Sequence, residues 1–464
     1  MAWHTGATKI QALAEAQRVA GCRLRFTRVT DAAFEELLSR HYASSGDANE
    51  ILQGELTGND DLLALAEAVP ENTDLMEQEE EAPVIRFINA MLTEAVNQGA
   101  SDIHLETFEN RLNIRFRVDG LLRSIIEPNH RIAPLLISRI KVMSRLDIAE
   151  KRLPQDGRIS LKLAGREIDV RISTLPSSGG ERVVLRLLHK DGQRLDFTAL
   201  GMNDRLVENL ADILSRPHGI LLVTGPTGSG KTTTLYAALQ RLRSTAVNIL
   251  TIEDPVEYNL DGIGQTQVNL KAGMTFARGL RAILRQDPDV VMVGEIRDQE
   301  TARIAIQASL TGHLVLSTLH TNTAVGAITR LRDMDIEPFL ISSSLIGVAA
   351  QRLVRRLCRQ CCSPRRAGPA ELSLLGIASG QEITLYEPTG CSACNQQGYS
   401  GRIGIYELIT VTDALRAMIH DNASEQAMLA EIRPRSPAIF RDGVDNVLAG
   451  NTSLAELLRV NQAM

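Results

Sequence analysis

A chain of 464 residues, 44% of them hydrophobic, exceeds what one hydrophobic core usually serves, so its composition predicts two to four domains. A formal net charge of −6 and 3% aromatic residues offer neither a basic footprint nor stacking side chains to a nucleic acid, which disfavours a helicase or similar motor. The first 20 residues lack the features of a secretory signal, and the most apolar run, 339–350, is shorter than the ~20 residues that span a bilayer. We therefore expect a cytoplasmic protein without nucleic-acid partners, whose association with a membrane is peripheral.

Residues 1–80 are predicted to form a small N-terminal domain that ends in an acidic linker. Two helical patterns within 9–43 flank a short apolar and basic stretch, which indicates an α+β fold, and an apolar cluster follows at 62–65. An acidic stretch begins at Pro70 and ends in Glu-Gln-Glu-Glu-Glu at 77–81. That composition favours a linker, although an exposed helix face fits it equally well.

The segment 82–192 is predicted to be an α+β domain. A helical pattern begins at Pro83, and Asp119-Gly120 is typical of a hairpin turn between two alternating segments. The other predicted elements are a helix at 132–146 and strands at 101–106, 112–118, 121–126, 159–163, 167–173 and 183–188. We expect one sheet with helices on one of its faces.

Strands alternate with helices in residues 195–350. The predicted strands, at 220–224, 247–252, 290–293 and 314–317, are apolar enough to be buried on both faces. This pattern predicts a parallel sheet with helices on both sides. Residues 351–400 do not continue the alternation of strands and helices, and they contain two close pairs of cysteines. Residues 401–464 return to helical spacing.

A glycine-rich loop follows the first of these strands and precedes a helical pattern. It satisfies the pattern G-x-x-x-x-G-K-[ST], in which glycines bring backbone N–H groups close to phosphate oxygens. The lysine and the helix N-terminus neutralise a polyphosphate, and the hydroxyl of Thr232 can bind Mg²⁺. The predicted nucleotide-binding residues are Gly225, Pro226, Thr227, Gly228, Ser229, Gly230, Lys231, Thr232 and Thr233.

Two acidic residues end neighbouring predicted strands. Glu295 follows the strand at 290–293, and Glu253 ends the strand at 247–252. In a parallel sheet both carboxylates emerge at the edge where the phosphates are expected. One can orient or deprotonate the attacking water, and the other can position it or hold Mg²⁺ through a water.

His313 and His320 flank the strand at 314–317. Such a pair could sense the γ-phosphate of a bound nucleotide. A metal site is disfavoured, because no cluster of carboxylates lies nearby at ligand spacing.

The late cysteines form two C-x-x-C pairs, Cys358 with Cys361 and Cys391 with Cys394. Two such pairs can complete a tetrahedral Cys₄ shell, which predicts structural zinc. Redox-active cysteines or a disulfide remain alternatives, because 29 residues separate the pairs and the commonest zinc ribbons have shorter spacings. Cys362 adjoins one ligand and could replace it.

Four motifs in order resemble those of one family, the traffic ATPases of type II secretion and type IV pilus assembly. The resemblance covers the chain from about residue 83 to its end. The loop at 225–232 resembles the family's phosphate loop, 252–257 its aspartate box, 289–298 its second acidic motif and 311–322 its histidine box.

The resemblance implies roles for individual residues. Glu295 would activate the attacking water, Glu253 would position water or Mg²⁺, and His313 and His320 would sense the nucleotide state. It also implies a homohexameric ring in which the domain at 82–192 supplies arginines to the γ-phosphate. Two arginines stand at the matching places, Arg158 and Arg171.

The predicted fold class is α/β. A RecA-like P-loop parallel-sheet motor domain (195–350) follows an α+β, PAS-like domain (82–192). A Cys₄ zinc module (351–400) and a helical C-terminal subdomain (401–464) come after it. The predicted cofactors are ATP, Mg²⁺ and Zn²⁺.

The predicted function is ATP hydrolysis that powers pilus or pseudopilus assembly or type II secretion at the inner membrane. Residues 1–80 would dock on a membrane-anchored platform partner. One alternative is a non-hydrolysing scaffold of the same machine. A second is a retraction-type pilus ATPase, which the cysteine pairs disfavour. A third is a small-molecule P-loop kinase, for which no acceptor site is recognisable.

Overall fold

The computed structural model describes residues 2–4, 26–30, 59–67, 82–163, 166–189, 196–378 and 381–462. The chain forms two compact units, Met1–His189 and Lys190–Met464. Near the N-terminus, strands β1 (Ala2–His4) and β2 (Phe26–Arg28) pair in parallel. The helical positions predicted on either side of β2, and the acidic stretch, lie outside the described residues.

An antiparallel sheet of six strands dominates the first unit. The elements of this unit are α1 (Asn59–Glu67), α2 (Ala82–Asn97), β3 (Ala100–Thr107), β4 (Leu112–Val118), β5 (Leu121–Ile126), α3 (Ala133–Met143), β6 (Gln155–Leu163), β7 (Arg166–Ser177) and β8 (Gly180–His189). The strands lie in the order β5-β4-β3-β8-β7-β6. All six predicted strands are confirmed, as is the helix predicted at 132–146, which is α3.

The core of this unit lies between the sheet and its helices. Alternate strand residues such as Ile103 and Leu105 are fully buried against Phe87 and Met91 of α2. Leu62 of α1 joins the same core. The opposite face of the sheet carries charged side chains, among them Asp102 of β3 and Arg186 of β8.

The second unit is built on a sheet of seven strands. Its strands are β9 (Gly219–Thr224), β10 (Ile249–Glu253), β11 (Gly264–Gln267), β12 (Val290–Val293), β13 (Leu314–Leu319) and β14 (Leu345–Leu357), followed, after the short pair β15 (Ser363–Arg366) and β16 (Thr384–Glu387), by β17 (Tyr399–Thr410). Their order is β11-β10-β12-β13-β9-β14-β17. Every pair is parallel except β14 with β17, so the predicted parallel sheet is confirmed.

Helices cover both faces of this sheet. The helices of the unit are α4 (Asp204–Leu214), α5 (Lys231–Leu242), α6 (Phe276–Ile283), α7 (Gln299–Leu310), α8 (Ala324–Asp333), α9 (Pro338–Ser344), α10 (Pro369–Leu374), α11 (Asp413–His420), α12 (Glu425–Ile432), α13 (Ile439–Leu448) and α14 (Leu454–Gln462). Helices α4 and α5 pack on one face, and α6 to α9 pack on the other with α11 and α12. No helix among the described residues is long and apolar enough to cross a bilayer.

In the second unit, strands β11, β14, β15, β16 and β17 were not predicted. Strand β14 continues through the boundary that the sequence placed at 350, and residues 401–410, expected to be helical, belong to β17. The helical C-terminal part therefore begins at Asp413. The reason lies in buried polar side chains: Gln351, Arg352 and Glu407 are 2%, 4% and 3% exposed, and they interrupt the apolar pattern that marks a buried strand.

Candidate active site

The phosphate loop lies where the sequence placed it, between the buried strand β9 and helix α5. Gly230 is the residue before the helix, and it has a left-handed backbone with φ of 88°. No side chain caps the helix. The first N–H groups of a helix have no partner within it, so those of α5 can bind phosphate oxygens. Thr232 and Thr233 stand partly exposed in this first turn.

Two positions of the loop require glycine, because Gln351 of strand β14 packs closely against them. A Cβ atom on Gly225 would lie 2.4 Å from the backbone oxygen of Gln351, and one on Gly230 would lie 2.8 Å from its Nε2. Both residues also have positive φ values, of 149° and 88°. A side chain at either position would therefore displace the loop from strand β14.

Lys231 folds back over the loop. Its ammonium group donates hydrogen bonds to the backbone oxygens of Gly225 at 2.9 Å and Pro226 at 3.0 Å. Burial lowers the pKa of Lys231, and the negative charge of Glu295 opposes that shift. The buried hydroxyl of Ser229 has no hydrogen-bond partner among the described residues. A buried donor without a partner and a cation bonded only to neutral carbonyls both suit an anionic ligand.

The start of the loop is tied to the end of β13. The hydroxyl of Thr224 donates to the backbone oxygen of Leu319 at 3.1 Å and accepts from the backbone N–H of Thr321 at 3.0 Å. This contact joins the phosphate loop to the segment that contains His320. Thr321 was expected to be one of the polar groups near His320, whereas the contact made by Thr224 was not predicted, because a polar residue at a strand end carries no distinctive signal.

Glu295 lies just beyond the end of β12, with its side chain 15% exposed. One carboxylate oxygen forms an ion pair with Arg297, and the other lies 3.2 Å from Nε2 of His320. Arg297 also reaches Oδ2 of Asp254 at 3.5 Å. The structure thus brings Glu295 and His320 together at the carboxyl ends of the strands, where phosphates are expected, and the charge of Glu295 acts on Lys231 of the loop.

Glu253 is held inside the protein. It ends β10, is 2% exposed, and accepts hydrogen bonds from the hydroxyls of Tyr236 and Thr251 and from the amide of Gln265 at 3.1 Å. Burial and the Glu253 carboxylate together raise the pKa of Tyr236, which keeps its hydroxyl protonated as a donor. Three donors satisfy the carboxylate, and this arrangement fixes its position. Sequence reasoning found Glu253 but not the donors around it.

His313 is not brought to the phosphate loop within its unit. It precedes β13, and its backbone oxygen accepts from the N–H of Gly219, the first residue of β9. The loop follows the last residue of β9, which lies about 17 Å further along a strand that rises ~3.3 Å per residue. The ring Nδ1 of His313 lies 2.8 Å from the backbone oxygen of Ala308. The two histidines flank the strand as predicted, and for that reason they lie at opposite ends of β13.

The two predicted arginines belong to the first unit, and they stand directly opposite each other on neighbouring strands. Arg158 of β6 pairs in register with Arg171 of β7, which pairs in register with Arg186 of β8. Arg158 forms an ion pair with buried Asp169, and Arg186 donates to Asp102 at 2.8 Å. We call this set of three residues the arginine row.

The four predicted cysteine ligands come together. The sulfur atoms of Cys358, Cys361, Cys391 and Cys394 all lie within 4.8 Å of one another, with neighbouring pairs 3.7–3.9 Å apart. Tetrahedral zinc with Zn–S bonds of ~2.3 Å requires sulfur atoms about 3.8 Å apart, so the cluster fits that ion. Backbone N–H groups of Cys391 and Gly398 point at the sulfur of Cys394, as they would at a thiolate. Cys362 is not one of the four.

A parallel sheet that ends in a phosphate loop, with a lysine and a strand-end acid beside it, defines a P-loop nucleotide-binding protein. The chain belongs to the type II/IV secretion system protein family, whose model matches residues 77–459. A separate model, for an N-terminal domain of GSPII protein E, matches residues 1–42.

Individual relatives place it among the type II secretion ATPases. It is 61% identical over 454 residues to type II secretion system protein E of Pseudomonas aeruginosa, covering 98% of this chain and 90% of the relative. It is 58% identical over 454 residues to type II secretion system ATPase E of Vibrio cholerae, with the same shares covered. The retraction-type alternative is not favoured by these relatives.

Solved structures share the fold. The pilus retraction motor PilT with bound ADP is similar with a TM-score of 0.52 and 26% identity, covering 80% of this chain and 96% of that one. The Legionella pneumophila ATPase DotB is similar with a TM-score of 0.60 and 21% identity, covering 82% and 96%.

Proposed function

We propose that this chain hydrolyses ATP, with Mg²⁺, to power type II secretion. The observation that carries the proposal is the phosphate loop, where the uncapped start of α5, the ammonium group of Lys231 and a buried Ser229 hydroxyl that has no partner among the described residues all suit an anion. ADP bound to PilT supports the same ligand class for this loop. The loop N–H groups and Lys231 would hold the phosphates, and Thr232 would hold Mg²⁺, which would neutralise charge on the transferred phosphoryl group.

Glu295 is proposed to activate the attacking water. Its carboxylate is tethered by Arg297 on one oxygen and by His320 on the other, so its orientation is set before a nucleotide arrives. His320 is then well placed to respond to any change in that carboxylate, which supports a role in sensing the nucleotide state. Glu253 is proposed to act from within, by holding the neighbouring strand end in place.

The arginine row is proposed to meet the γ-phosphate. Arg158, Arg171 and Arg186 stand in register on neighbouring strands, and the ion pairs of Arg158 with Asp169 and of Arg186 with Asp102 hold two of these guanidinium groups on that face of the sheet. Arg158 and Arg171 would meet the γ-phosphate in a homohexameric ring, where an arginine finger is worth ~10³ to 10⁵ in rate.

Zinc is proposed to stabilise the cysteine module. Bound zinc would supply folding free energy to a segment that has one short strand pair and few buried side chains of its own. We also propose that the protein is cytoplasmic and reaches the inner membrane through a docking protein and a platform protein of the secretion system. The match of residues 1–42 to a named domain of a secretion protein supports a docking role for that region.

The test is product analysis. The purified chain, incubated with ATP and Mg²⁺ alone and with its membrane partners, should release inorganic phosphate, and the Lys231→Ala variant should not. A wild-type rate no higher than that of Lys231→Ala under both conditions would favour a scaffold that only binds nucleotide. A phosphorylated acceptor in place of free phosphate would indicate a kinase.

A further inference from the structure

Gln351 lies in the middle of strand β14, next to Gly225 and Gly230 of the phosphate loop. Its strand, β14, is flanked by β9 on one side and by β17 on the other, with Ala350 in register with Thr224 and Gln351 with Tyr406. The side chain is 2% exposed. A polar side chain so deeply buried is retained only where its hydrogen bonds are satisfied.

Its amide joins the first turn of α5 to the next strand. Oε1 of Gln351 accepts a hydrogen bond from the hydroxyl of Thr234 at 2.8 Å, and Nε2 donates to the hydroxyl of Tyr406 at 3.5 Å. Tyr406 is anchored in turn, because its hydroxyl donates to the backbone oxygen of Leu200 at 3.1 Å. The amide therefore connects the helix that follows the loop to strand β17.

The same residue packs against both outer glycines of the loop. Its backbone oxygen lies 2.4 Å from the position that a Cβ on Gly225 would take, and its Nε2 lies 2.8 Å from that of a Cβ on Gly230. Glycine has more conformational freedom than any other residue, so a loop with three glycines costs much entropy to order. Because Gln351 packs against both ends of the loop, part of this entropy cost is met before the ligand binds.

We propose that Gln351 is a positioning residue that holds the phosphate loop in its binding conformation. The proposal rests on the proposed nucleotide site but does not depend on hydrolysis. A residue outside the four sequence motifs would thus influence phosphate affinity through the conformation of the loop.

The competing explanation is purely structural: a buried glutamine that only satisfies Thr234 and Tyr406. The two explanations differ in where a substitution acts. Loss of positioning would loosen residues 225–232 and weaken nucleotide binding, while the rest of the sheet stays intact. Loss of packing would destabilise the whole unit.

The experiment uses the full chain and the Gln351→Met variant, which keeps the side-chain length and removes the amide. Hydrogen exchange of residues 225–232 without nucleotide should be about tenfold faster in the variant, while exchange of Gly219–Val223 stays unchanged. The dissociation constant for ADP with Mg²⁺, measured by calorimetry, should rise about tenfold. The matched control is Ser309→Ala, which removes a buried hydroxyl bonded to the backbone oxygen of Ile306, away from the loop.

A second variant tests the same hydrogen bond from its other end. Thr234→Val should reproduce part of the effect, and the double variant with Gln351→Met should not add to it, because interacting residues are not additive. Unchanged loop exchange together with unchanged ADP affinity would overturn the proposal. Uniformly faster exchange across the sheet would overturn it in favour of the structural explanation. A wild-type chain that binds ADP but does not hydrolyse ATP would overturn only the proposed hydrolysis.

Discussion

The hydroxyl group of Tyr236 donates a hydrogen bond to Oε2 of Glu253 in the interior of the second unit. This bond connects helix α5, which follows the phosphate loop, to the end of β10, which carries the acid. With Thr251 and Gln265 it leaves neither oxygen of the buried carboxylate without a donor. The geometry of the phosphate loop and that of the acid are therefore linked through side chains that carry no motif.

Removing the hydroxyl in Tyr236→Phe should destabilise the protein. A buried carboxylate that loses one donor is left partly unsatisfied, at a cost of about 1–3 kcal/mol. The thermal midpoint should fall accordingly, and phosphate release should slow. Tyr258→Phe is the matched control, since its ring packs edge-on against Tyr236 with centroids 4.8 Å apart, while the hydroxyl bonded to Glu253 is that of Tyr236. Equal midpoints for the two variants would contradict the assigned role of the Tyr236 hydroxyl.

Asp442 should make stability depend on pH. Burial raises the pKa of Asp442 to about 6, although its carboxylate accepts the backbone N–H of Tyr406 at 2.9 Å. An acid whose pKa is higher in the folded state stabilises the protein when protonated, and that contribution is lost as the pH rises from about 4 through about 6. In Asp442→Asn this loss should disappear. The midpoint of the variant relative to wild type should therefore rise between about pH 4.5 and about pH 7.5, and a constant difference would refute the assignment.

Loss of one cysteine ligand should release zinc and unfold the module. Structural zinc supplies ~10–16 kcal/mol to small modules, so Cys394→Ser should remove bound metal and expose the segment 358–398 to protease. The control is Cys362→Ser, because the four clustered sulfur atoms do not include that of Cys362. Metal content measured by mass spectrometry decides the outcome. Full zinc occupancy in Cys394→Ser, or its loss in Cys362→Ser, would mean that the ligand set is different.

Arg171→Ala should separate binding from hydrolysis. An arginine that contacts the γ-phosphate only in the transition state should leave ADP affinity nearly unchanged while phosphate release falls by ~10³ or more. Arg111→Ala, which removes a guanidinium stacked on Phe108 in the same unit, should affect neither quantity. Parallel loss of binding and hydrolysis in Arg171→Ala would indicate a structural role.

The sequence predicted the apolar strands well because their patterns are local. The hairpin at Asp119-Gly120 shows this: both residues have left-handed φ values, of 49° and 85°, as a tight two-residue turn requires. Strand β17 was missed for the opposite reason. Its Glu407 is buried by pairing with Arg433, and its Tyr406 by bonding to Asp442, partners that are 26 and 36 residues away.

The same distinction holds for the site. Lys231 and the two C-x-x-C pairs were predicted from local spacing, and Glu295 from its place after a strand and from the family resemblance, because each of these signals lies in a short stretch of chain. Gln351, Tyr236 and Gln265 approach the loop and the acid from other strands and helices, and no local pattern marks them. His313 and His320 show another limit of local patterns, because two residues that flank one strand lie at its opposite ends; the role of His313 stays a prediction.

The central claim, that Glu295 activates water beside a nucleotide held by Lys231, is tested most directly by Glu295→Gln. This variant keeps the shape of the side chain, so ADP affinity should remain within about twofold of wild type. Phosphate release at saturating ATP should fall by ~10² to 10⁴, the usual contribution of a general base. Glu300→Gln, an exposed acid on α7 that pairs with Arg281, should change neither. Wild-type hydrolysis by Glu295→Gln would contradict the account.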